Sequence, residues 1–338
     1  ARDSPRRAGW GYDRQGSLAP LPSLPMPMTG LVSDPAALLH DTGPGHPETP
    51  ARVKAVLDRL QGDGLLDACV ALVSRPITDA ELLRIHTPEY LRIVAEDVAD
   101  GLVVLSTGDT AIKGQPSLDA ARHAAGGLLG AVDAVCTGRV ANAFAVVRPP
   151  GHHATPAKGM GFCLFNTVAL AARHAQAVHG LERVLIVDWD VHHGNGTQDA
   201  FYEDASVLFF DTHQSPLYPG SGHADETGRG AGEGFTINCP FPAGAGRKEI
   251  VGAFRERLVP AAERFRPQLV LVSAGFDSRI DDPLGRFTLT DTDFAELTGI
   301  VREIAVRHAG GQLVSTLEGG YALTGLASAA AAHLKALL

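Results

Sequence analysis

Residues 184–196 read Val-Leu-Ile-Val-Asp-Trp-Asp-Val-His-His-Gly-Asn-Gly. Four aliphatic residues, Val184 to Val187, stand together without a polar partner, and the chain turns polar at once with Asp188. A strand that is apolar on both faces belongs inside a parallel sheet covered by helices on both sides. The same signature recurs at Ala143–Val147, Val207–Phe210 and Leu269–Val272, and at Leu313–Leu317 apart from Ser315 and Thr316. Around and between these runs, apolar residues at helical spacing predict helices over Pro47–Leu60, Leu118–Cys136, Thr167–His179, Lys248–Phe265 and Thr292–His308. Strands alternating with helices indicate a doubly wound α/β fold, a mostly parallel sheet with helices on both faces.

In such sheets ligands bind beyond the carboxyl ends of the strands. Arg148 to His153 follow Val147, and Asp188, Asp190, His192, His193 and Asn195 follow Val187. Asp211, Thr212 and His213 follow Phe210, Asp277 follows Val272, and Glu318-Gly319-Gly320-Tyr321 follows Leu317. Taken singly, the His pair is a solvated loop, Asp-x-Asp caps a turn, and Glu-Gly-Gly-Tyr is a tight turn with a packed tyrosine. Those separate readings do not account for five strand ends delivering His, Asp and Tyr to one edge. Asp190 and His192 stand two apart, so in extended chain they point to the same side. Asp277 adds a second carboxylate from another strand end. Two Asp and one His are three metal ligands with a position left open, the arrangement of a catalytic zinc site. Fe(II) accepts a similar set, so the metal stays open between the two at this point.

Composition narrows the function classes. With 338 residues the chain can bury roughly 75% of its unfolded surface and needs no disulfide staple. Lys plus Arg is 29 against 38 for Asp plus Glu, a net charge of −9 that argues against nucleic-acid or anionic-membrane partners. No run approaches the roughly 20 apolar residues of a membrane span. Cys69, Cys136, Cys163 and Cys239 are scattered, which excludes CxxC zinc knuckles and reads as reduced thiols of a cytoplasmic protein. Residues 1–27 are rich in Pro and Arg without apolar periodicity and read as an N-terminal tail, with one domain over 28–338.

The segments VVRPPGHHA (146–154), GFCLFN (161–166), VDWDVHHGNGTQ (187–198), SAGFDS (273–278) and LEGGY (317–321) resemble the histone deacetylase family. They look most like its class II branch and the bacterial histone-deacetylase-like and acetylpolyamine amidohydrolases. The resemblance runs from about Gly30 to the C-terminus. It implies an arginase/deacetylase-like single α/β domain, one catalytic Zn2+, and hydrolysis of an N-acetyl amide. Arginase itself uses two manganese ions and Asp-x-His-x-Asp. Here Asp190-Val191-His192-His193-Gly194 puts glycine where the last Asp would stand, which favours one metal over two.

By motif position the resemblance assigns Zn2+ to Asp190, His192 and Asp277. His153 becomes the general base and then acid, His152 an electrostatic and orienting group, and Tyr321 the donor to the oxyanion. Asp188 backs His152, and Asn195 backs His153. A carboxylate stabilises imidazolium while an amide only orients the ring, so His153 is expected neutral near pH 7. K+ is implied beside the zinc at Asp188, Asp190, His192, Asp211 and Thr212, with Asp211 departing from the family's common serine. A second K+ site matches Phe201, Asp204, Val207 and Phe235. Gly161 and Phe162 match one wall of an acyl channel, Tyr218 the opposite wall, and Asp109 an acidic rim residue. Leu284 stands where a polyamine-selective branch carries Glu, which leans toward acetyl-lysine-like substrates without excluding acetylpolyamines. Arg52 matches an arginine near the product exit, with a surface salt bridge as the alternative. The implied partner is an acetylated small amine or an acetyl-lysine peptide, and homo-oligomer formation is left open.

Overall fold

In the computed structural model, which describes residues 28–338, the apolar runs become strands of one eight-stranded sheet. The expected tail at 1–27 lies outside the described residues. In chain order the elements are β1 (Thr29–Ser33), α1 (Pro50–Gly62), β2 (Cys69–Leu72), α2 (Asp79–Leu82), α3 (Pro88–Ala99), α4 (Gly114–Cys136), β3 (Asn142–Val146), α5 (Thr167–His179), β4 (Val184–Asp188), α6 (Asn195–Phe201), β5 (Val207–Gln214), β6 (Thr236–Phe241), α7 (Arg247–Ala253), α8 (Val259–Phe265), β7 (Leu269–Ala274), α9 (Asp291–His308), β8 (Leu313–Leu317) and α10 (Leu323–Leu337). The strand order is β2-β1-β3-β8-β7-β4-β5-β6, and every neighbouring pair is parallel.

The reason these strands carry no polar face is visible in where each side chain goes. Leu185 and Val187 of β4 join one core with Leu208 and Phe210 of β5 and Val270 and Val272 of β7. Their alternates Val184, Ile186, Val207, Phe209, Leu269 and Leu271 join a second core on the other face. Helices α1, α9 and α10 seal the first face through Val53, Val56, Phe294, Leu297, Leu326 and Leu334. Helices α3, α4 and α5 seal the second through Val94, Leu128, Val132, Val168 and Leu170. Each such side chain taken out of water contributes about 1.5–3 kcal/mol, so a polar residue on either face of a central strand would be costly.

Three strands escape the apolar-run criterion. β2 and β6 are the two edges of the sheet, covered less completely, and β6 carries Asn238 and Pro240. Proline is tolerated on an edge because one side of its backbone has no ladder partner. β1 contains Gly30, where a Cβ would stand 2.6 Å from Leu72 Cδ1, so the neighbouring strand's side chain occupies that space. β5 runs four residues past the expected end, because the polar segment Asp211 to Gln214 continues to pair with β6. The helix expected over Lys248–Phe265 is divided: a π-helical segment, Phe254–Leu258, separates α7 from α8. Pro260 offers no N–H to the Glu256 carbonyl and crowds it, which forces the wider turn. No helix among the described residues is long and apolar enough to cross a membrane.

The arrangement that matters for function is the run β3-β8-β7-β4-β5. The five strands whose ends carry the motifs are consecutive neighbours, so their following loops converge.

Candidate active site

The loop after β4 meets the loop after β7 at three side chains. One ligand atom from each of Asp190, His192 and Asp277 lies within 4.8 Å of the others. His192 Nδ1 is 3.0 Å from Asp190 Oδ1 and 3.2 Å from Asp277 Oδ2. The opposite oxygens are held by backbone donors. Asp190 Oδ2 accepts from the Gly319 N–H at 2.8 Å, and Asp277 Oδ1 accepts from the Val191 N–H at 2.8 Å. Asp277 Oδ2 is buried without a hydrogen-bond partner. Two buried carboxylates thus turn one oxygen each toward the same imidazole nitrogen, an arrangement that calls for a cation.

The titration of these groups carries the same message. Burial disfavours a charged His192, yet the adjacent carboxylates of Asp190 and Asp277 raise it to about 10. Burial and the neighbouring Asp190 charge push Asp277 up to about 7. A proton on this cluster stands where a cation of higher charge fits. The donor set of one imidazole and two carboxylates matches a three-ligand zinc centre, so the residues fit the metal that the motifs imply. Close backbone approach makes the cluster feasible: a Cβ on Gly319 would stand 2.0 Å from Asp277 Oδ2.

The loop after β3 brings the two histidines alongside, ring centroids 4.0 Å apart. His152 Nδ1 is 2.9 Å from Asp188 Oδ2, and His153 Nδ1 is 2.8 Å from Asn195 Oδ1. Both acceptors are oxygens, so each ring carries its proton on Nδ1 toward its partner and directs Nε2 the other way. The consequences differ. Against its burial, His152 is held well above the usual histidine range by Asp188 and Asp190. His153 is pushed well below it by burial and by His152 and His192. A charged ring therefore sits beside a neutral one.

A cavity of about 370 Å³ opens above this floor. His153 and His192 form its base with Tyr321, and Gly161, Phe162, Tyr218 and Leu284 form its sides. All the expected channel residues line it, and Leu217 joins them. Gly161 at φ 57° passes so close to His153 that a Cβ would stand 2.2 Å from its Cδ2. Phe162 follows at φ 67°, a left-handed conformation held by its surroundings. Asp109 ties the two walls together: its Oδ1 accepts from the Gly161 N–H at 2.8 Å and its Oδ2 from the Tyr218 hydroxyl at 3.0 Å.

Arg52 is fully buried, so the surface salt bridge considered for it does not occur. Its Nε donates to Gly320 O at 2.6 Å and its Nη1 to Glu48 at 2.9 Å. Its guanidinium lies 4.9 Å from the centroid of the Tyr321 ring. Glu48 also receives Arg148 Nε at 2.6 Å, so one buried carboxylate holds two buried arginines behind the tyrosine loop. Glu318 was quoted within its motif but given no role. Its Oε2 accepts from the Gly151 N–H at 2.7 Å and the His152 N–H at 3.2 Å, and its Oε1 accepts from Ser273 Oγ at 3.0 Å. It joins the tyrosine loop to the histidine loop. The signal for it is a carboxylate placed directly after a buried strand. Glu48 lay in a loop before α1, and nothing local marked it as buried.

The residues expected around K+ fall partly together. Asp188 and Asp211 are register partners on β4 and β5, and Thr212 Oγ1 is buried without a partner. Both Asp211 oxygens are engaged, Oδ2 by the Gly194 N–H at 2.8 Å and Oδ1 by His213 Nδ1 at 2.6 Å. At the second set, Asp204 pairs with Arg173 at 2.6 Å and accepts from the Ser206 N–H at 2.7 Å.

Fold and site together define an arginase/deacetylase-like hydrolase scaffold with a metal-competent floor. The comparisons with known proteins agree. The histone deacetylase domain matches residues 46–337. The chain is 46% identical over 301 residues to the human polyamine deacetylase HDAC10, covering 86% of this chain and 44% of that protein. It is 42% identical to the histone deacetylase-like amidohydrolase of Pseudomonas aeruginosa, covering 88% of this chain and 77% of the relative. The solved HDA15 HD domain superposes with a TM-score of 0.86 at 40% identity, covering 92% of this chain and 90% of that one. The chain belongs to the histone deacetylase family, and that membership supports deacetylase hydrolase activity. It spans less than half the length of the human relative.

Proposed function

We propose that residues 28–338 form a zinc-dependent amidohydrolase that removes an acetyl or related acyl group from an amine. The observation that carries this reading is the floor of the cavity. There, a one-imidazole, two-carboxylate cluster adjoins a pair of histidines with opposite charge preferences. Zinc bound by Asp190, His192 and Asp277 would supply a Lewis acid for the acyl carbonyl and a more acidic water. His153, neutral and with Nε2 unprotonated, is placed to take a proton from an attacking water and return it to the departing amine. His152, charged through Asp188, stabilises the negative charge that develops beside it. The Tyr321 hydroxyl donates to the carbonyl oxygen as it gains charge. Gly161, Phe162 and Tyr218 enclose the linear chain of the substrate, and Leu284 adds an apolar side without charge.

The reading extends to K+ at Asp188, Asp190, His192, Asp211 and Thr212, and at Phe201, Asp204, Val207 and Phe235. A reducing, cytoplasmic setting fits four free cysteines. The substrate is an acetyl-lysine peptide or an acetylated polyamine; the human relative's name favours the second, and Leu284 favours the first. Measuring kcat/KM for both on zinc-loaded protein decides between them. Absence of turnover on either, with zinc bound, would overturn the amidohydrolase reading.

A further inference from the structure

A second cluster of metal-competent side chains lies between α4 and α5. His174 Nε2 and His179 Nε2 both stand 2.7 Å from one oxygen, Asp133 Oδ1. The three ligand atoms lie within 4.8 Å of one another. We propose that Asp133, His174 and His179 bind a divalent transition-metal ion that clips α4 to α5.

Place in the fold separates this site from the first. Asn166 caps the start of α5, and its amide donates to Ala154 O at 3.1 Å in the histidine loop and to Thr197 Oγ1 at 3.2 Å in α6, beside the cavity floor. His179 is the last residue of α5, so the cluster lies about 18 Å along the helix axis from that floor. The chemistry points to one class of ion. Two imidazoles and a carboxylate suit Zn2+, Cu2+ or Ni2+, whereas Ca2+ and Mg2+ take oxygen ligands. Access is graded: the side chains of Asp133, His179 and His174 are 41%, 16% and 4% exposed. Two ligands are thus held against the helices, and water can complete the coordination from the Asp133 side. Ligand atoms around a tetrahedral ion stand about 3.3 Å apart, so the two 2.7 Å contacts need open by only a few tenths of an ångström.

Arg84 sets the strength of the site. Its Nη1 lies 2.9 Å from His174 Nδ1. A guanidinium only donates, so Nδ1 accepts and the ring proton sits on Nε2, toward Asp133. An ion on Nε2 moves that proton to Nδ1, where it meets the Arg84 donor. Half-buried Arg84 must then swing away, and its charge repels the ion as well. Arg84→Met removes both obstacles.

The test uses the full chain freed of metal and carrying Asp277→Asn, so the strand-end cluster lacks a ligand. Titration with Cu2+, read by electron paramagnetic resonance, is expected to show one ion with two imidazole nitrogens. His179→Ala, a partly exposed helix-end change, should weaken binding at least about tenfold and leave one nitrogen. Arg84→Met should tighten it about tenfold. A Cu2+ signal that survives both His179→Ala and Asp133→Asn, or no saturable binding, overturns the site. So does an Arg84→Met protein with unchanged affinity. None of these readouts uses acyl hydrolysis, so the proposal stands or falls apart from the proposed function.

Discussion

Among the described residues two clusters combine imidazole and carboxylate, one with two carboxylates and one imidazole and the other with the reverse, and they are built in opposite ways. At the strand ends, Asp190 and Asp277 are buried and each has one oxygen fixed by a backbone N–H. The other oxygen of each faces His192 Nδ1, at 3.0 and 3.2 Å. Between α4 and α5, the Asp133 oxygen is already shared by two imidazoles, on a carboxylate two-fifths exposed. The first cluster is strained without a cation, and the second is satisfied without one. The lesson concerns affinity: a site whose ligands repel one another in the empty state binds an ion more tightly than one whose ligands must give up bonds to do so.

The largest effect should come from breaking the strained cluster. Asp277→Asn removes one charged ligand, and kcat/KM should fall about 1,000-fold or more together with loss of bound zinc. Zinc content and turnover that both stay near the parent values would contradict the assignment. Tyr321→Phe leaves the cluster whole and should lower kcat about 100-fold or more with zinc retained; a near-normal kcat removes Tyr321 from the reaction. Glu318→Gln touches neither metal nor substrate. Weaker acceptance from Gly151 and His152 should lower kcat about tenfold with KM little changed. A change confined to KM would show that this carboxylate does not position the histidine loop.

A buried histidine without any carboxylate sharpens the contrast with His192. His333 is bonded to the hydroxyls of Thr298 and Ser315, and burial pushes its pKa down to about 3 from the model-compound value of 6.5. The unfolded chain then binds more protons between those values, so the stability contribution is complete above pH 6.5 and is lost as pH falls. From pH 7 to pH 5 this amounts to about 2 kcal/mol. Urea unfolding at both pH values should show His333→Gln losing less stability on acidification than the parent; equal losses would refute the linkage. The smallest effect belongs to the satisfied cluster: His179→Ala should leave kcat/KM within about twofold, and a larger drop would tie the helical site to catalysis.

Much of this was legible in the chain before folding. The five central strands announce themselves because both faces of each are buried, so nearly every position is apolar, with Ser315 and Thr316 of β8 as exceptions. The residues after them announce themselves because polar groups at the end of such a strand have no packing reason to be there. By contrast, β2 and β6 stayed unread because an edge strand satisfies weaker rules, and α10 because its many alanines blur the periodicity. Glu48, Arg52 and Arg148 were invisible as a group. Glu48 and Arg52 stand four apart, but Arg148 reaches the same carboxylate only in three dimensions, across 100 residues of chain.

Local sequence was therefore sufficient for the layer architecture and for the sheet edge at which the polar side chains gather, because burial and strand periodicity act on neighbours in the chain. Which lone pair faces which proton was decided by packing between distant loops. Asp188 against His152 and Asn195 against His153 leave one of two adjacent imidazoles charged and the other neutral, although the chain writes them as an identical pair. A histidine's pKa is set by the groups around it in space, and the sequence alone does not place those groups.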